Sequence, residues 1–80
     1  MYYTYVLESL ASGRHYFGHT QNLEERLTRH NSGKVRSTKA FRPWRLIYYE
    51  EFATRSEAFQ REQFFKTIEG RQWLKGRGIL

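Results

Sequence analysis

The absence of cysteine from so short a chain restricts the fold more than any other feature. The 80 residues allow one domain, spanning residues 1–80, and no disulfide or thiolate–zinc framework can hold it together. A domain of this size buries a modest share of its surface, so its core must be dense. Two Trp, six Tyr and six Phe supply the bulky side chains that such a core requires.

Three segments rich in aromatic and β-branched residues predict strands over residues 2–8, 14–19 and 44–52. The small residues between the first two segments favour a hairpin. Alternation in the third segment predicts two faces, one formed by Trp44, Leu46, Tyr48 and Phe52 and the other by Ile47 and Tyr49.

Two capping patterns, Asn22 with Glu25 and Thr54 with Glu57, predict helices over residues 23–31 and 54–68. We expect Gly70 to end the second helix and residues 71–75 to form a short last helix. The order β-β-α-β-α, followed by this short helix, indicates an α+β domain with a small, mainly antiparallel sheet.

Both longer helices carry charged residues among apolar positions that face inward. In the first helix, Arg26 and His30 lie one turn apart, beside Leu23 and Leu27. In the second helix, Glu62 lies within an inward apolar stripe formed by Ala58, Phe59 and Phe65 and widened by Phe64 and Ile68. Because a buried carboxylate needs a partner, two interpretations are open. One is a structural ion pair, such as Arg26 with Glu62, and the other is a functional site beside the tyrosines of the sheet.

The charge of the chain favours a polyanionic partner, with nucleic acid first. The formal net charge is +6, and Arg, whose planar fork suits phosphate, supplies most of the cations. Residues 34–45 contain no acid and include five cations, namely Lys34, Arg36, Lys39, Arg42 and Arg45. We expect the first four to follow a phosphate backbone, with Phe41 or Trp44 available for stacking. The alternative is a solvated charged loop.

Two triplets give the chain a specific resemblance. Tyr3-Thr4-Tyr5 and Tyr16-Phe17-Gly18 resemble the paired triplets that name the GIY-YIG nuclease superfamily. Arg26, the segment from His30 to Lys34, Arg42-Pro43-Trp44, Glu62 and Gly70-Arg71 then follow in an order similar to that of its small single-domain branch. More distantly, the pattern is similar to the N-terminal nuclease domain of the excision-repair subunit UvrC and to intron homing endonucleases.

The resemblance implies a fold and a set of catalytic residues. The fold would be a three-stranded antiparallel sheet flanked by helices. Tyr5 and Tyr16 match the tyrosines of the two triplets, Arg26 the family arginine and Glu62 the glutamate that binds a single Mg²⁺ or Mn²⁺ ion. His30 stands where repair relatives carry a tyrosine, and it completes the expected catalytic set. The resemblance leaves open which of Tyr5, Tyr16 and His30 accepts the proton of the attacking water.

We therefore expect a metal-dependent endonuclease that hydrolyses phosphodiester bonds in nucleic acid, with DNA favoured over RNA. A bare nuclease core implies low sequence specificity or a partner protein that supplies it, which would fit structure-selective cleavage in repair or recombination. The alternative is a non-catalytic nucleic-acid-binding module that keeps the nuclease fold. No segment has the pattern of a signal peptide or the apolar length of a membrane span, so we expect a cytoplasmic protein.

Overall fold

A computed structural model describes residues 1–80 as a three-stranded sheet with helices on both faces. The strands are β1 (Tyr2–Ser9), β2 (His15–Thr20) and β3 (Trp44–Phe52), in the antiparallel order β2-β1-β3. The helices are α1 (Leu23–Asn31), α2 (Arg55–Phe65) and α3 (Ile68–Gly76), with one 3₁₀ turn over Lys39–Phe41. The predicted α+β class and the three-stranded antiparallel sheet are confirmed. None of the helices combines the length and the apolar character that crossing a lipid bilayer requires.

A β-bulge in β3 changes the predicted distribution of its side chains. Val6 lies opposite Tyr48, but the next residue of β1, Leu7, lies opposite Leu46, so Ile47 is the additional residue. Residues directly opposite each other in antiparallel strands point to the same face. Tyr48 therefore shares a face with Val6, and Leu46 shares the other face with Leu7. The prediction that Leu46 and Tyr48 share a face is wrong because the bulge reverses the alternation between them.

The sheet carries a separate apolar core on each face. On one face, Tyr5, Leu7 and Trp44 are buried, and the leucines of α1 pack against them. On the other face, α2 and α3 contribute Phe65 and Leu74 to a buried cluster that also contains Val6 and Phe17. The hydroxyl of Thr4 donates to the carbonyl oxygen of Ala58 at 2.7 Å and so ties α2 to the centre of the sheet. Both faces of β1 are therefore covered, which gives the dense core that the composition predicted.

Asn31 fixes the end of α1 against β3. Its side-chain Nδ2 donates to the carbonyl oxygen of Trp44 at 2.9 Å, and its Oδ1 accepts from the Trp44 amide at 2.6 Å. The adjacent His30 is thereby held in a fixed position over the sheet. At the other end of the helix, the side chain of Asn22 accepts from the Glu25 amide, as its capping pattern predicted.

The second helix is shorter than predicted, because Thr67 starts a new helix. The Thr67 side chain accepts from the Gly70 amide at 3.0 Å and caps α3. Gly70 thus lies inside α3 instead of ending α2, and a Cβ at this position would collide with the carbonyl oxygen of Phe64. Ile68 and Phe59 were predicted to face inward, but both are exposed. For Ile68 the reason is the break between the two helices, which removes it from the apolar stripe of α2.

Candidate active site at the outer edge of the sheet

Tyr5, Tyr16 and His30 meet on the face of the sheet that α1 covers. Tyr5 Oη lies 3.0 Å from His30 Nε2, and His30 Nδ1 lies 2.8 Å from Thr38 Oγ1. The Thr38 hydroxyl donates to the carbonyl oxygen of Val35, so the same oxygen accepts from His30 Nδ1–H. His30 Nε2 is then the acceptor, and the Tyr5 hydroxyl donates to it. The Tyr16 ring packs against His30 with a centroid separation of 4.8 Å.

Burial sets the protonation states in this cluster. It lowers the pKa of His30 to about 4, with the nearby charges of Arg26 and Arg29 acting in the same direction. Burial also raises the pKa of Tyr5 to about 12, although the guanidinium of Arg26 beside the hydroxyl opposes the increase. At neutral pH the imidazole is therefore neutral and the phenol is protonated, in agreement with the direction of the hydrogen bond between them.

Gly18, the glycine of the second triplet, makes room for the Tyr5 hydroxyl. Gly18 lies directly opposite Tyr5 in the pairing of β1 with β2. A Cβ at position 18 would lie 2.5 Å from Tyr5 Oη and 2.6 Å from Tyr5 Cζ, closer than van der Waals contact permits. Any side chain at this position would push the phenol away from His30, so the hydrogen bond requires a glycine.

Arg26 is the charged residue of this cluster, and no carboxylate neutralises it. Its guanidinium lies beside the phenols of Tyr5 and Tyr16, which raise the pKa of Arg26. None of the salt bridges in the protein includes Arg26, and its buried Nε has no hydrogen-bond partner. The structural ion pair of Arg26 with Glu62 is therefore absent. A buried donor without a partner costs about 1–3 kcal/mol, which an anion bound at this position would offset.

Glu62 accepts hydrogen bonds from two other residues, His19 and Lys66. The residue is 8% exposed, and its Oε1 accepts from His19 Nδ1 at 2.6 Å. Its Oε2 accepts from Lys66 Nζ at 2.7 Å, across one turn of α2. Sequence reasoning missed both partners. The four-residue spacing from Glu62 to Lys66 was a signal that could have revealed one of them, whereas His19 is 43 residues away and carried no local signal.

A polar cleft at the outer edge of β2 lies between the tyrosine cluster with Arg26 and the carboxylate of Glu62. The cleft has a volume of about 440 Å³ and is lined by His19, Thr20, Gln21, Asn22, Glu25, Arg26, Arg29 and Arg55. Arg26 reaches it from α1 on one face of the sheet, and Arg55 reaches it from α2 on the other. His19 joins the cleft to Glu62. The negative charge of Glu62 also contributes to the raised pKa of Tyr5, so the carboxylate lies within electrostatic range of the tyrosine cluster.

The donor set at this edge fits one hard divalent cation. The protein has no cluster of three or more His, Cys, Asp or Glu side chains that could form a closed metal cage. Glu62 would hold a cation through a single carboxylate, and Mg²⁺ tolerates this because it keeps several waters and takes further oxygen ligands from phosphate. Lys66 is half-exposed, and the long stem of a lysine would allow its ammonium to leave the carboxylate for solvent when a cation binds.

The basic segment forms a second cleft, and three of its four predicted phosphate ligands line it. Arg36, Lys39 and Arg42 surround a volume of about 550 Å³ together with Asn31, Ala40 and Pro43. Lys34 lies elsewhere, in a neighbouring cleft that also contains Arg29. The aromatics of this segment are not free for stacking. Trp44 is buried, with its Nε1 donating to the Thr38 carbonyl at 2.9 Å, and Phe41 is covered by the guanidinium of Arg14.

Comparison with known proteins places this arrangement in a family. Residues 1–75 match the family model described as the GIY-YIG catalytic domain. The chain is 51% identical over 67 residues to a UPF0213 protein of Bacillus pumilus, covering 82% of this chain and 67% of that one. It is 40% identical over 75 residues to a UPF0213 protein of Staphylococcus haemolyticus, covering 92% and 90%. The solution NMR structure of a UPF0213 protein from Bacillus halodurans matches with a TM-score of 0.56 and 30% identity, covering 95% of this chain and 84% of that one. The chain therefore belongs to the GIY-YIG family and is similar to its small UPF0213 members.

Proposed function

We propose that this protein is an endonuclease that hydrolyses phosphodiester bonds in nucleic acid with the help of one divalent cation. The observation that carries the proposal is Arg26, whose buried Nε has no protein partner and whose guanidinium opens into an arginine-lined cleft. A fixed cationic donor of this kind stabilises the charge that develops on the phosphoryl oxygens during hydrolysis. Arg26 lies beside the phenols of Tyr5 and Tyr16, and it shares the cleft with His19, which binds Glu62.

The three candidate proton acceptors differ in their access to water. Tyr5 is 2% exposed and His30 is fully buried, whereas Tyr16 is half-buried. Because the attacking water must reach the acceptor, this difference favours Tyr16, whose phenolate form would take the proton and become the phenol. The donation from Tyr5 to His30 and from His30 to Thr38 then holds the rings around Tyr16 in one arrangement. General-base catalysis of this kind typically contributes ~10²–10⁴-fold to the rate.

Glu62 is the residue that would hold the cation. When bound there, Mg²⁺ or Mn²⁺ supplies charge stabilisation at the leaving oxygen. His19 would keep its hydrogen bond to Oε1 and orient the carboxylate, while Lys66 would leave Oε2 to the cation. The same contacts support the alternative function, a binding module without catalysis, because both carboxylate oxygens already have hydrogen-bond partners within the protein.

Nucleic acid would extend from the edge of β2 to the cleft that Arg36, Lys39 and Arg42 line. None of these cations takes part in a salt bridge, so their charges are free to meet phosphate. We favour DNA over RNA as the substrate, and structure-selective cleavage in repair or recombination as the role. Replacing the three cations by Gln is expected to make the binding constant less dependent on salt. The slope of log binding constant against log salt concentration should become shallower by up to ~0.9 for each phosphate that the protein no longer neutralises.

Cleavage by an Arg26→Ala variant tests the proposal. The control is Arg29→Ala, which removes an exposed arginine from the same helix and the same cleft. We expect Arg26→Ala to lower the single-turnover cleavage rate at least ~10-fold, since one transition-state donor is typically worth several kcal/mol. Arg29→Ala should mainly weaken binding. Equal rates for folded Arg26→Ala and wild type would remove the role of Arg26, and the absence of cleavage by any preparation that still binds DNA would favour the binding module.

A further inference from the structure

Three side chains of α2 and the residue at its C-cap form a line beside the outer edge of β2. Arg55, Phe59, Glu62 and Lys66 are spaced by four, three and four residues, which places them on one face of a helix. Lys66 caps the helix end and binds Glu62, and Glu62 binds His19. Arg55 lines the polar cleft together with Arg26. Three of the four residues in this line are charged, and Phe59 stands among them.

Phe59 is the most accessible phenylalanine of the chain. It is 48% exposed, while every other phenylalanine of the chain is buried or half-buried. The ring packs against the imidazole of His19 in a T-shaped arrangement, with a centroid separation of 5.6 Å and an interplanar angle of 76°. This contact holds the ring in place beside the cleft and leaves a large part of the aromatic surface open to solvent.

The cleft beside Phe59 has a charge that selects an anion. Arg26, Arg29 and Arg55 line it, with Glu25 as the single acidic residue and no apolar side chain. The guanidinium of Arg55 lies 5.0 Å from the centre of the Tyr2 ring. Such a contact orients a guanidinium while leaving its N–H edges available to phosphate. An occupant that fills this cleft and also covers Phe59 must therefore combine negative charge with a flat apolar surface.

We propose that Phe59 and Arg55 form a subsite for one nucleotide whose base is unpaired. The base stacks on the exposed surface of Phe59, and Arg55 holds the phosphate that adjoins it. Bases inside a continuous duplex are covered on both sides by their neighbours, whereas an unpaired base can stack on an aromatic side chain. The subsite rests on the proposed function, and it narrows the substrate class to single strands and to flaps or branches with an unpaired nucleotide next to the cleavage point.

Binding measurements in EDTA test the subsite without requiring cleavage. Wild type, Phe59→Ala and Phe59→Trp would be titrated against a fluorescent single-stranded DNA, the corresponding duplex, and an oligomer of the same length made only of abasic nucleotides. The control is Ile68→Ala, which removes an exposed apolar residue from α3. Circular dichroism establishes that each variant is folded.

We expect Phe59→Ala to weaken binding of the single strand by about 5-fold or more, since stacking on one aromatic is typically worth ~1–3 kcal/mol per base. Phe59→Trp should bind the single strand at least as well as wild type. The duplex and the abasic oligomer should bind wild type and Phe59→Ala equally, and Ile68→Ala should behave as wild type on all three.

Two results would overturn the subsite. One is equal affinity of wild type and Phe59→Ala for the single strand, as expected if Phe59 only packs on His19 or is covered by a partner protein. The other is an equal loss on all three ligands, which would indicate a general effect on the cleft. The outcomes also separate the two proposals. If Phe59→Ala selectively loses single-strand binding but wild type never cleaves, the subsite stands and the nuclease proposal fails. If wild type cleaves but Phe59→Ala binds the single strand normally, the nuclease proposal stands and the subsite fails.

Discussion

The protonation of His30 leads to a quantitative prediction about stability in acid. Its imidazole is buried and neutral, and burial lowers its pKa from 6.5 to about 4. Between these pH values the unfolded chain binds a proton that the folded chain does not bind. The stability that neutral His30 contributes is therefore present above about pH 6.5 and is lost as the pH falls towards 4. The expected loss between pH 6.5 and pH 4.5 is about 2 kcal/mol, a large part of the ~5–15 kcal/mol that stabilises a typical domain.

Urea unfolding at pH 7.5, 6.5, 5.5 and 4.5 measures this loss, with tryptophan fluorescence as the signal because Trp44 is buried. The reference is His30→Gln, which removes the titrating group and keeps an amide that can hydrogen-bond at the same place. All other titratable groups are common to both proteins, so the difference between the two pH profiles isolates His30. Between pH 6.5 and 4.5, the free energy of unfolding should fall by about 2 kcal/mol more for wild type than for the variant. Parallel profiles would refute the argument.

Two further predictions concern the immediate surroundings of the site. Gly18→Ala is expected to displace the Tyr5 ring by about 1 Å, to lower the free energy of unfolding by about 1–3 kcal/mol and to slow cleavage. The control is Gly76→Ala, whose added Cβ has no atom near it. Thermal melts and cleavage assays should show no loss of stability and no slower cleavage for this control. Lys66→Met removes a cation that competes for Glu62, so cleavage should reach its plateau at a lower Mg²⁺ concentration. A higher Mg²⁺ requirement for the variant would show that Lys66 supports metal binding.

The parts of the fold that local sequence signals control were predictable. The strands follow from their aromatic and β-branched residues, and α2 begins where Thr54 and Glu57 form their reciprocal capping box. The bulge at Ile47 was not predictable, because it depends on how β3 meets β1 and not on the composition of β3. The break before Ile68 was missed because the apolar pattern of α2 continues past its true end, and the capping oxygen of Thr67 decides the boundary.

The candidate site likewise combines features that the local sequence indicated with features that depend on how the elements pack. The sequence identified Arg26, His30 and Glu62 as polar residues among apolar neighbours, and the structure brings Arg26 and His30 together around Tyr5. The alternative ion pair of Arg26 with Glu62 was wrong because α1 and α2 cover opposite faces of the sheet. Helical spacing shows which residues share a face of one helix, but it carries no information about which face of the sheet that helix covers. The link through His19 could be seen only once β2 was known to be the edge strand.

The most direct test of the account is the nicking of supercoiled plasmid by wild type and Glu62→Gln, purified identically and incubated with Mg²⁺, Mn²⁺ or EDTA. The substitution preserves the size of the side chain and removes the charge that would hold the cation. A Lys75→Gln variant, changed at an exposed cation of α3, controls for a general effect of altered charge. We expect metal-dependent nicking by wild type and Lys75→Gln, and none by Glu62→Gln despite unchanged DNA binding in EDTA. Equal nicking by wild type and Glu62→Gln, or nicking that persists in EDTA, would contradict it.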